Sequence, residues 1–140
     1  MREDSSNDRL RSALVVVTDP TIRQLCCNIL DRVDFRVTNG VESGAAAIVQ
    51  TREQHPDIIL LSQQLSDVPA REAVKWLRSN RESAVTPIIV LGGEAGNDTA
   101  PGSKTVVLPR PVTAARLCDA LIQALSSDPL VQSRIRQVAP

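Results

Sequence analysis

Short apolar runs alternate with amphipathic stretches along most of the chain. Ala13–Val17, Asp57–Leu61 and Pro87–Leu91 are nearly uniform apolar segments, the pattern of strands buried on both faces. Phe35–Asn39 and Thr105–Leu108 read as two further strands. Between them, apolar residues recur at helical spacing. Ile22, Leu25, Cys26, Ile29, Leu30 and Val33 follow Asp19-Pro20, where Asp19 suits a helix cap and Pro20 its first turn. Glu42–Gln54 reads as a helix with Ala45, Ile48 and Val49 inward, and Ala70–Asn80 as one with Ala73, Val74 and Leu77 on one face. Thr113–Leu125 presents Leu117, Leu121 and Ala124. This alternation predicts an α/β fold, a parallel sheet covered by helices on both faces.

The flanks and one internal segment break the rhythm. Residues 1–12 are polar and read as a flexible leader, residues 13–125 as the domain, and residues 126–140 as a linker or a short C-terminal extension, a short extra helix, with a weak apolar rhythm at Leu130, Val131 and Ile135. Glu94–Lys104 holds Gly96, Pro101 and Gly102 without apolar periodicity, so no helix is expected there.

Composition narrows the function classes. A chain of 140 residues, 42% hydrophobic, has room for one domain with a real core. Sixteen basic against sixteen acidic residues give zero net charge, which argues against nonspecific nucleic-acid binding. The apolar runs are too short for a membrane span, and the polar start offers no secretory h-region. Cys26, Cys27 and Cys118 have neither disulfide-framework nor metal-ligand spacing, which favours a reducing cytoplasm with Cys26 as a small core residue. The single histidine, His55, stands before Pro56 at a helix end, so His-based catalysis and metal clusters have little to work with. Neither a metal nor another cofactor is expected, and the domain is not expected to be an enzyme. Fourteen arginines against two lysines suggest a GC-rich bacterial genome.

A family resemblance sharpens the reading. Leu14-Val15-Val16 leading to Asp19-Pro20 and Arg23 is followed by Pro56-Asp57-Ile58-Ile59-Leu60-Leu61. Then come Leu65, Asp67, Glu72 and Leu77-Arg78, then Pro87-Ile88-Ile89-Val90-Leu91, and finally Arg110-Pro111. From Ala13 to Leu125 the chain resembles the receiver domain of two-component response regulators. The resemblance implies a flavodoxin-like doubly wound sheet of five parallel strands in the order 2-1-3-4-5, with the fourth helix shortened or absent.

The resemblance also implies a chemistry that the residues fail to match. A receiver accepts a phosphoryl group on an aspartate after its third strand. It uses Mg²⁺ held by carboxylates, with a hydroxyl and a lysine on the phosphoryl oxygens. Here the acceptor position is Ser62, and the acidic pair after the first strand is Val17 and Thr18. The hydroxyl position is Gly92, the lysine position is Arg110, and the switch aromatic is Val107. The expectation is a degenerate pseudo-receiver acting through protein–protein contact, with a histidine kinase or an output domain as partner, or a second copy of itself. Trp76 is a candidate partner-facing anchor, although packing is the simpler role. The alternative is a ligand-gated receiver in which Arg110, Thr18 and Ser62 bind a nucleotide or other small anion in the vacated pocket.

Overall fold

Burial is complete along β3 (Ile58–Ser62) and β4 (Ile88–Leu91), so this sheet is covered on both faces. The computed structural model describes residues 11–81, 83–92, 105–126 and 128–139. With β1 (Arg11–Val16), β2 (Phe35–Thr38) and β5 (Thr105–Leu108), the strands pair in parallel in the order β2-β1-β3-β4-β5. The order 2-1-3-4-5 is the one expected from right-handed crossovers in a doubly wound chain.

The period of two along each strand divides the core. Ala13, Val15, Ile58 and Leu60 face one way, where α1 (Pro20–Arg32) and α4 (Ala114–Ala124) supply Leu30, Leu117 and Leu121. Leu14, Val16, Ile59 and Leu61 face the other way, towards α2 (Gly44–Gln54) and α3 (Ala70–Ser79), which supply Ala47, Ala73 and Leu77. Each fully buried Leu or Ile contributes roughly 1.5–3 kcal/mol of hydrophobic stabilisation.

Local chemistry starts the helices where the sequence indicates. Asp19 caps α1 by accepting from the amides of Thr21 at 2.8 Å and Ile22 at 3.3 Å, with Pro20 at its first turn. The expected inward face of α2 requires correction. Gly44, Ala47 and Thr51 are buried, whereas Ala45 and Val49 are exposed and Ile48 is half-buried. The cause is the close approach of α3. A Cβ on Gly44 would lie 2.9 Å from Val68 Cγ2 and 3.1 Å from Trp76 Cζ3, so α2 turns its small residues inward.

One expected flank changes, and the other takes its helical alternative. Arg11 and Ser12 are not part of a leader, because they begin β1 and pair with Phe35 and Arg36 of β2. The C-terminal stretch contains a helix, α5 (Pro129–Val138), with Val131 and Ile135 buried against the α1–α4 side of the core. Burying this pair contributes about 3–6 kcal/mol before the cost of ordering the segment. The expectation of a shortened or absent fourth helix falls on residues 93–104, outside the described residues. Among the described residues no helix is long and apolar enough to cross a membrane.

Candidate functional site at the carboxyl edge of the sheet

The parallel register brings the ends of four strands together. Val16 pairs with Leu61, Ser62 with Leu91, and Leu91 with Leu108. Val17, Thr18, Ser62, Gly92 and Arg110 therefore gather at one edge, as the resemblance implies. Trp76 is not among them. It lies half-buried on α3 with its ring against Gly44, which favours its packing role.

The edge is joined by hydrogen bonds between neighbouring strand ends. The amide of Thr18 donates to Ser62 Oγ at 2.9 Å, tying β1 to β3 where a receiver would hold its acceptor carboxylate. Ser62 is 9% exposed, so this bond satisfies a nearly buried hydroxyl. Thr18 Oγ1 reaches the carbonyl of Gln64 at 3.5 Å. Arg110 Nη2 donates to Gln63 Oε1 at 3.1 Å, and its Nε donates to the carbonyl of Gly92 at 3.4 Å. Arg110 thus bridges loop acceptors and does not pair with Asp19, whose carboxylate caps α1.

Gly92 has a backbone reason as well as a missing side chain. Its φ is +86°, in the left-handed region, while its amide donates to the carbonyl of Leu108 at 2.7 Å. A Cβ there would stand 3.6 Å from Arg110 Nε, in ordinary contact, so conformation rather than space selects glycine. Val107 is half-buried against the α2–α3 side of the core and offers no ring to swing.

The donor set does not suit Mg²⁺, a hard cation that takes carboxylate and water oxygens in octahedral geometry. The Val17 side chain has no ligand atom, Thr18 and Ser62 offer neutral hydroxyls, and the Asp19 carboxylate serves the α1 amides. Among the described residues no cluster of three His, Cys, Asp or Glu side chains could hold a metal. The thiols are no better placed for chemistry. Burial, with Cys27 adding to it, pushes the Cys26 thiol up to about 12, and burial followed by Asp119 raises Cys118. His55 is exposed and ends α2 in the left-handed conformation, its amide bonded to Thr51 O at 3.0 Å.

Two contributors to the site had no role assigned from sequence, although Asp67 is among the residues that carry the family resemblance. Gln63 supplies the side-chain acceptor for Arg110, and a carboxamide beside a strand end carries no signal of that role. Asp67 holds the loop after β3 against α2, accepting from the amides of Gly44 at 2.7 Å and Ala45 at 3.2 Å. The Gly44 amide chiefly lowers the Asp67 carboxyl below the usual carboxylate range; desolvation opposes it, and the Ala45 amide adds to the lowering. An acidic residue just before Val68-Pro69 hints at a local turn, but its partners lie 22 and 23 residues away.

Comparison with known proteins agrees with this architecture. The family model for the response regulator receiver domain matches residues 13–121. The polar-differentiation response regulator DivK of Brucella ovis is 30% identical over 81 residues, covering 58% of this chain and 65% of the relative, a little under two thirds of that protein. The chemotaxis response regulator CheY4 of Vibrio cholerae superposes with a TM-score of 0.72 at 21% identity, over 83% of this chain and 99% of that one. The receiver domain of the sensor histidine kinase PA1611 from Pseudomonas aeruginosa, solved with magnesium in its active-site cleft, gives 0.71 at 23% identity, over 84% and 98%. At these identities the structures speak for the fold, and the family match covers most of the chain. The chain belongs to the response regulator receiver domain family of two-component signalling.

Proposed function

We propose that this receiver domain is a pseudo-receiver, a regulatory protein-interaction module that works without accepting a phosphoryl group. The observation that carries this reading is the bond from the Thr18 amide to Ser62 Oγ, at 2.9 Å. It joins the position of the missing metal carboxylates to the position of the missing acceptor, with neutral groups on both sides. Gly92 and Val107 remove the hydroxyl and the ring through which the family's surface would respond. The partner in this reading is a protein of a bacterial signalling pathway, a histidine kinase or an output domain, met in the cytoplasm through a surface that needs no phosphorylation. The domain has no enzymatic role of its own. Incubation with acetyl phosphate and Mg²⁺ followed by intact-mass measurement tests it. An unmodified mass supports the reading, and a stable phosphoryl adduct on the folded protein defeats it.

A second reading has one observation in its favour. Arg110 is exposed at the carboxyl edge, and the partners of its guanidinium among the described residues are the neutral acceptors Gln63 and Gly92. A small anion such as a nucleotide could recruit that charge together with Thr18 and Ser62. Saturable thermal stabilisation by nucleotides, cyclic dinucleotides included, that is abolished in Arg110→Gln would favour this ligand-gated form.

A further inference from the structure

The helix α5 lies wholly beyond the span of the family match, which ends at residue 121 within α4. Its seat is narrow. Val131 and Ile135, one turn apart, are its two fully buried residues, whereas Leu130 beside them is 61% exposed. Val138 and Ala139 pack partly buried beside them, and the remaining attachments are polar and reach β1, α4 and the turn after α1. Arg11 Nε and Nη2 both donate to Asp128 Oδ2, at 2.8 and 2.6 Å. Gln132 Nε2 donates to the carbonyl of Ile122 in α4 at 2.9 Å, and Arg134 Nη1 stands 3.2 Å from Asp34 Oδ2 just past the end of α1. Asp128 is also the cap of α5, accepting from the Val131 amide at 3.3 Å.

A helix of this length is marginal in isolation, so docking is what holds α5 helical. Its ion pairs are partly exposed, and pairs of that kind are individually weak. An element with few buried contacts and solvent-facing latches belongs to the low-stability end of a fold. The shared part of the domain, by contrast, lacks the side chains of the usual lever at Gly92 and Val107. β1 joins the two places, with the Arg11 latch at its start and the Thr18–Ser62 bond just past its end.

We propose that α5 is a reversible strap, seated in cis across the apolar groove between the ends of α1 and α4, and that its release is the conformational change this domain uses. The strap is a second state that does not pass through the carboxyl edge. The proposal rests on the phosphorylation-independent reading, because a working phosphoryl switch would make a second device unnecessary.

Hydrogen-exchange mass spectrometry on the full chain tests it. The amides of residues 131–138 are expected to exchange at least about tenfold faster than those of residues 117–124. Arg11→Gln, which breaks the latch and leaves the Asp128 cap, should speed exchange in α5 by about fivefold and leave α4 unchanged. Arg134→Gln, on the other latch and outside the sheet, should act in the same direction if Arg11→Gln fails to fold. Exchange of α5 and α4 at a common rate, or an α5 rate insensitive to both latches, overturns the proposal. A phosphoryl adduct would defeat the functional reading and leave the exchange rates untouched, so the two failures are distinguishable.

Discussion

The two edges of the sheet use charge in opposite ways. At the carboxyl edge, where the family concentrates carboxylates around a metal, this chain places Val17, Thr18, Ser62 and Gly92. Neutral hydrogen bonds join Thr18 to Ser62 and Gln64, while Arg110 reaches only neutral acceptors among the described residues. At the amino edge, charged side chains hold structure. Arg11 clamps Asp128, and Arg78 Nη1 donates to the carbonyls of Ser83, Ala84 and Thr86 at 3.0, 3.2 and 2.7 Å while its Nη2 reaches Thr105 Oγ1 at 3.1 Å. Burial lowers the pKa of Arg78, yet a guanidinium stays charged at any physiological pH and continues to donate. The contrast separates two uses of the same scaffold. At one end carboxylates are absent from Val17, Thr18 and Ser62, and at the other end charges that pin loops and a helix are present.

The largest effect expected from breaking this contrast is at Arg78. Arg78→Ala removes a donor shared by three carbonyls and should destabilise the domain by about 3 kcal/mol, read as a lower urea midpoint with unchanged slope. A change below about 0.5 kcal/mol would show that water replaces the staple without loss. At the carboxyl edge, Ser62→Ala leaves the Thr18 amide without its acceptor and should cost about 1–2 kcal/mol by the same measurement. Equal stability of Ser62→Ala and the parent would mean that the β1–β3 bond is incidental.

Acid should act through Asp67, with the smallest effect of the three. Its carboxyl is held low in the folded state, chiefly by the Gly44 amide, so its contribution is present above the unfolded carboxylate pKa. That contribution fades as pH falls through the lower folded value. Asp67→Asn should therefore flatten the fall in melting temperature below about pH 4, where the unfolded carboxylate begins to protonate, compared with the parent. Identical acid profiles would remove Asp67 from the loop's support.

The fold was legible because its strands are buried on both faces, and Ile58-Ile59-Leu60-Leu61 and Ile88-Ile89-Val90-Leu91 leave little choice but a covered parallel sheet. Asp19 was readable as a cap because its partners are local. The face of α2 was not, because Gly44, Ala47 and Thr51 are buried by the fit to Val68 and Trp76 rather than by their own hydrophobicity. α5 was hard to read for a similar reason. Of Leu130, Val131, Ile135 and Val138 only Val131 and Ile135 are buried, a weak rhythm, and the ion pair that holds the helix joins residues 117 positions apart. At the carboxyl edge the substitutions at Ser62 and Gly92 were visible in the chain. What fills the space they leave, the Thr18–Ser62 bond, the Gln63–Arg110 bridge and the positive φ of Gly92, depends on register and appears only in three dimensions.

The central claim, that the carboxyl edge no longer performs phosphoryl chemistry, is tested most directly by NMR shift mapping with Mg²⁺ and beryllofluoride, a phosphoryl mimic that requires an acceptor carboxylate and a bound metal. The account predicts unchanged amide positions for the parent. It predicts the same for Ser62→Asp, since one carboxylate added between Thr18 and Gln63 still leaves the metal without the pair lost at Val17 and Thr18. Saturable perturbation centred on residues 17–19, 62 and 110 of the parent would contradict it.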